Sequence, residues 1–114
     1  MKKIIFGLSL VATILIVNAN AQGESGKTIF ETKGCALCHK NHMDTIGPSL
    51  KKISTAYMGK ETSLLSYLKG QGEAIVDPAR ASVMNPQLVK ISSLIDEDVK
   101  KLVEYIVSAT EAQY

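Results

Sequence analysis

Cys35-Ala36-Leu37-Cys38-His39 is the stretch on which the chain turns. The spacing C-x-x-C-H is the signature of covalent haem attachment. Two thiols three positions apart can each add across a vinyl group of one porphyrin. The imidazole that follows is then held against the iron as an axial ligand. Taken singly, each part has a plainer reading. A C-x-x-C pair can form a redox disulfide or half of a zinc site, and a lone histidine is usually a surface or core residue. These are the only two cysteines in 114 residues, and the histidine follows directly, so haem attachment is the stronger reading.

The apolar residues are unevenly spread. Lys2 and Lys3 precede an almost unbroken run, Ile4 to Val17, and Ala19-Asn20-Ala21 gives a small-residue cleavage pattern. This is the layout of a secretory signal peptide, residues 1–21, with Gln22 as the mature start. The run is shorter than the ~20 residues that span a bilayer. Removing it would leave 93 residues (114 less 21), a single domain over 22–114. Thirteen basic residues less Lys2 and Lys3 would balance the eleven acidic ones, so the mature chain would be neutral. Such a charge makes no case for nucleic-acid binding. A domain this small buries little core of its own, and a covalently held apolar macrocycle would enlarge it. Export also agrees with the cysteines, because capture by haem gives them a fate other than a disulfide in an oxidising compartment.

The mature chain reads as short helices throughout. Ser25 caps a first helix in which Gly26, Ile29 and Phe30 share a face, and Gly34 ends it. Gly26 on a helix face suggests close approach of another helix. After a polar loop, Lys40 to Thr45, Pro48 opens a second helix running to about Met58, with Leu50, Ile53 and Tyr57 on one side and Gly59 as its stop. A third runs from Glu61 to Lys69, with Leu64, Leu65 and Leu68 inward and Gly70 after it. Asp77-Pro78 reads as a cap and first residue of a short turn to Val83. That turn would deliver Met84 into a loop, because Asn85 precedes Pro86 and so avoids the α region. The last helix begins with Asp96 as cap, and Val99, Leu102, Val103, Ile106 and Val107 form its apolar stripe. The fold class is all-α, four to five short helices around one haem.

The second axial position decides function. A closed site transfers electrons, whereas an open one binds gases or does chemistry. His42 and Met43 lie too near His39 to reach round a porphyrin easily. Met58 ends a helix with an apolar face, where core filling is the ordinary role. Met84 lies 45 residues beyond His39, with enough chain between for two helices to pass round the ring. It is the favoured ligand, with Met58 second. The Pro48 carbonyl can accept a hydrogen bond from the free nitrogen of His39, and Gln87 can donate to the methionine sulfur. Helix initiation and surface exposure explain those two residues equally well.

Several stretches occur together in order: 26–39 ending in the cysteine motif, Ile46-Gly47-Pro48-Ser49-Leu50, Val83-Met84-Asn85-Pro86-Gln87, and the amphipathic last helix. In these the chain resembles the class I cytochromes c, the short monohaem bacterial carriers. The run from Asp44 to Ile53 and the stretch from Ala74 to Arg80 bring it nearest the periplasmic c-555-like group. The resemblance implies one covalent haem c with its iron, thioethers at Cys35 and Cys38, and axial ligation by His39 and Met84. It implies that the first and last helices cross, with Gly26 and Phe30 meeting Tyr105. It departs from the family in a longer loop before the methionine and in Asn85, where proline often follows. The function expected is that of a soluble, monomeric periplasmic electron carrier rather than an enzyme. It would dock transiently on oxidase, reductase or dehydrogenase complexes, with Lys33, Lys40 and Arg80 as candidate rim cations. Two alternatives are a haem subunit of a larger complex, such as one oxidising sulfur compounds, and a five-coordinate sensor or enzyme.

Overall fold

The computed structural model describes residues 24–109, together with Gly7. The cleavage pattern at 19–21 and the new start at Gln22 lie outside the described residues. Six α-helices follow in order: α1 Gly26–Thr32, α2 Cys35–Cys38, α3 Leu50–Tyr57, α4 Glu61–Leu68, α5 Ala81–Ser92 and α6 Asp96–Ser108. A 3-10 turn, Pro78–Arg80, leads into α5. No strand occurs among the described residues.

The frame is the crossing of α1 with α6. Ser25 starts α1 by accepting the Thr28 amide on its hydroxyl at 3.2 Å. Ile29 and Phe30 are buried against Val99, Leu102, Val103 and Ile106 of α6. At the crossing Gly26 lies so near α6 that a Cβ would stand 2.1 Å from the Lys101 carbonyl oxygen and 2.8 Å from Tyr105 Cβ. The rings of Phe30 and Tyr105 meet at 5.4 Å, tilted by 57°, an arrangement that aromatic quadrupoles favour. The helix contact read from a single glycine is therefore present, and with the implied partners.

α3 is stitched to the same frame. Its fully buried Ser54 donates to the Val107 carbonyl at 2.7 Å. The helix begins two residues later than Pro48, because the Ser49 hydroxyl accepts the Lys52 amide at 3.1 Å and is the true cap. Asp96 likewise is not a cap. Ile95 takes that position, and Asp96, Glu97 and Asp98 fill the first turn of α6, where the helix dipole favours negative charge. Asp96 is ion-paired with Lys69 at the end of α4. Gly34, Gly59 and Gly70 end their helices with φ of +78°, +73° and +78°, the left-handed region that glycine occupies at least cost.

The largest correction concerns Met84. It does not sit in a loop, and Asn85-Pro86 does not break the chain into an extended segment. All three residues lie inside α5, with Pro86 within the helix. Proline removes one amide from the helical ladder, the one that would have bonded the Ser82 carbonyl. Burial outweighs that loss. Met84, Leu88 and Ile91 recur at i, i+4 and i+7, and this stripe packs onto the core. Asp77 also makes no side-chain cap; its carboxylate accepts from Arg80 Nε at 2.7 Å. Together with the cysteine motif, itself one helical turn, this raises the helix number above the four to five read from the sequence.

Gly26→Ala is expected to lower the denaturant midpoint at unchanged m-value, with a loss of about 1–3 kcal/mol typical of overpacking. Leu102→Ala, by cavity formation, should cost about 2–5 kcal/mol. Equilibrium unfolding followed by circular dichroism checks both.

Candidate functional site

One large cleft opens among α2, α3, α4 and α5, enclosing ≈ 1190 Å³ when the space at its mouth is included. Cys35, Cys38, His39 and Met84 all line it. The walls are mainly apolar and aromatic: Phe30, Ile53, Tyr57, Leu64, Leu68 and Ile91 among them. His42, Met43 and Met58 do not line it. Met43 and Met58 are exposed at 65% and 56%, which removes them as residues facing this space. Met84 is half-buried and packs on the core.

The imidazole of His39 is held from behind. Its Nδ1 lies 2.7 Å from the Pro48 carbonyl oxygen. With that nitrogen donating its proton to the carbonyl, Nε2 is left with a lone pair. Gly47 makes this approach possible. A Cβ there would stand 2.6 Å from His39 Cε1 and 2.9 Å from Nδ1. The loop is fixed to the motif by the Cys38 carbonyl, which accepts from the Gly47 amide and the Thr45 hydroxyl, each at 3.0 Å. Asp44 closes the far side. Its carboxylate accepts the Ser49 amide at 2.8 Å and the Lys52 ammonium at 3.2 Å. Those two contacts, the amide first, hold the Asp44 carboxyl below the ordinary aspartate range. The Pro48 contact was legible beforehand. Gly47 and Asp44 were not, although a glycine directly before a proline signals a tight approach.

Both cysteines lie at the cleft wall and are not joined to each other. Burial, and then the neighbouring Cys38, push the Cys35 thiol up, with its own backbone contact offsetting part of the effect. Tyr57 and Tyr67 also line the cleft, and burial raises both phenols, so neither ionises near neutrality. No group of three or more His, Cys, Asp or Glu side chains positioned for a metal occurs among the described residues, so the cysteine pair lacks the partners of a zinc site. Of the rim cations, Lys33 and Arg80 line the cleft. Lys40 does not: its ammonium donates to the Ala36 carbonyl, and it lines a separate crevice with Lys27, Glu31 and Tyr105. Gln87 lines the cleft, but its amide oxygen accepts from Lys90 at 3.0 Å.

The donor set fits a haem. Two thiols sit at one edge of an apolar slot, a fixed imidazole lies beside them, and a thioether shares the same space. These features define a small c-type haem domain. Comparison with known proteins agrees. The sequence matches the family model for cytochrome c over residues 23–110. It is 27% identical over 111 residues to cytochrome c-551 of Stutzerimonas stutzeri, covering 95% of this chain and 98% of that protein. It is 26% identical over 100 residues to cytochrome c-552 of Nitrosomonas europaea, covering 88% and 91%. A shorter match, 38% over 37 residues, joins it to cytochrome c-551 of Azotobacter vinelandii and spans 32% of this chain and 45% of that protein. The chain belongs to the cytochrome c family, as a class I monohaem member carrying haem c and its iron, and it is a haem electron carrier.

The depressed Asp44 carboxyl sets a pH dependence. A group with a lowered folded-state pKa stabilises above its unfolded value of about 3.9. That contribution is lost as pH falls through the folded value. Asp44→Asn should therefore flatten the acid limb of the stability–pH profile below about pH 4. Thermal melts of both forms between neutral and strongly acid pH test this.

Proposed function

We propose that the chain is a periplasmic one-electron carrier, with haem joined through Cys35 and Cys38 and iron held between His39 and Met84. The observation that carries this reading is that a methionine and the motif histidine line one apolar cleft, while the other candidate ligands lie away from it. Bound haem supplies an iron that alternates between the ferrous and ferric states. The rest is the work of the chain. The Pro48 carbonyl orients His39 and fixes which ring nitrogen keeps its lone pair. α5 presents Met84 from a packed helix rather than a loose strap, so both ligands can stay in place in either oxidation state. The apolar walls keep water from the metal. Exclusion of water and a thioether ligand both favour the reduced state and raise the potential.

Residues 1–21 would carry the chain out of the cytoplasm and then be removed. The family match, which begins at residue 23, is consistent with that boundary. No helix among the described residues is long and apolar enough to cross a membrane. Partners would be larger redox proteins that meet the cleft mouth briefly through a small interface.

Ferric iron bound to methionine sulfur gives a weak red absorption band. Met84→Ala should abolish it, and Met58→Ala should leave it intact. Persistence of the band in Met84→Ala would overturn the ligand assignment. The intact mass of the exported protein should equal residues 22–114 plus one haem; a mass retaining residues 1–21 would refute cleavage.

A further inference from the structure

We propose that Arg80 is a positioning residue, a clasp that ties the methionine side of the cleft to the histidine side. The inference rests on the reading of Met84 as the iron's second ligand. Arg80 Nε donates to Asp77 Oδ2 at 2.7 Å, within its own segment. Its Nη1 donates to the Ile46 carbonyl at 3.3 Å, across the cleft mouth. Both Arg80 and Ile46 line that mouth. Ile46 directly precedes Gly47 and Pro48, which press on and hydrogen-bond the His39 ring. Four residues beyond Arg80 is Met84. One guanidinium thus joins the loop that fixes one ligand to the turn that bears the other.

The first turn of α5 has particular use for such a tie. Arg80 occupies the cap position, and no side chain caps the helix there. Two residues past Met84, Pro86 removes a rung from the ladder that would hold this turn to the rest of α5. The turn is held from in front by the 3-10 segment, where the Ala81 amide bonds the Pro78 carbonyl and the Arg80 amide the Asp77 carbonyl. That segment has its own anchor in the Asp77–Arg80 pair. The planar guanidinium suits the task, because it presents donors in a fixed fork to two acceptors at once. A lysine ammonium is a point charge on a flexible stem.

The clasp is tested on the haem-loaded ferric protein by the rate at which imidazole displaces the methionine. Displacement requires the Met84 turn to lift, so its rate reads the opening equilibrium. Arg80→Ala should raise that rate about three- to tenfold, the equivalent of one lost hydrogen bond, while the red band stays and the denaturant midpoint falls by no more than that one bond accounts for. Arg80→Lys should show most of the same increase, and Asp77→Asn a smaller one. Amide hydrogen exchange should quicken at residues 81–85 and not in α6. An unchanged displacement rate in Arg80→Ala, with the red band present in wild type, would overturn the clasp and leave Met84 as ligand. A wild-type rate in Arg80→Lys would overturn the two-acceptor fork. A wild-type protein with no red band would overturn both the clasp and the ligand reading.

Discussion

The hydrogen bond between His39 Nδ1 and the Pro48 carbonyl, 2.7 Å long, is the constraint on which the site depends. An imidazole directly after a cysteine could turn in several directions. Here one nitrogen is committed, so the other is aimed. The commitment has a chain of supports. Position 47 must lack a side chain, or the carbonyl could not come close. The Cys38 carbonyl holds the loop by two hydrogen bonds, which links the same backbone that carries the motif to the residues that orient its histidine. Ser49 caps α3 immediately afterwards, and Asp44 fixes that cap from outside. Orientation of one ring therefore draws on contacts spread from Cys38 to Ser49.

The two halves of the molecule meet different demands. α1 and α6 provide a packed frame whose parts are locked by shape: a missing Cβ, a tilted ring pair and a fully buried stripe. The cleft, by contrast, is lined by Phe30, Leu102 and Ile106 of that frame together with residues of the other elements. The apolar surface of its walls has no full complement within the polypeptide. For a domain of this size that surface is a large share of what a core would contain. The prosthetic group thus completes the interior as well as supplying the redox chemistry.

Much of this was readable from residues alone, where one physical signal acted without competition. The motif, the glycine stops and the last helix belong to that class, as does the crossing inferred from Gly26. Reading failed where two signals opposed each other. At Met84 the sequence holds both a proline, which argues for a break, and an i, i+4, i+7 stripe with Leu88 and Ile91, which argues for continuation. Local propensity favours the break, and burial decides for the helix. Helix starts failed for a related reason. Pro48 and Asp96 each have a chemistry suited to a first turn, but the cap falls to a neighbour, Ser49 or Ile95, whose backbone is extended. Asp44 and Gly47 escaped because their roles arise from contacts made by the loop as folded.

The crossing of α1 and α6 has a consequence for the order in which the domain can form. Gly26 and Tyr105 are far apart in the chain, so their contact closes a loop that encompasses nearly every other element. Such non-local contacts are late and slow to form. Before α6 arrives, Ile29 and Phe30 have no partner to cover them, whereas the cysteine motif beside them needs no distant residue to be chemically complete. Covalent capture of the haem can thus precede closure.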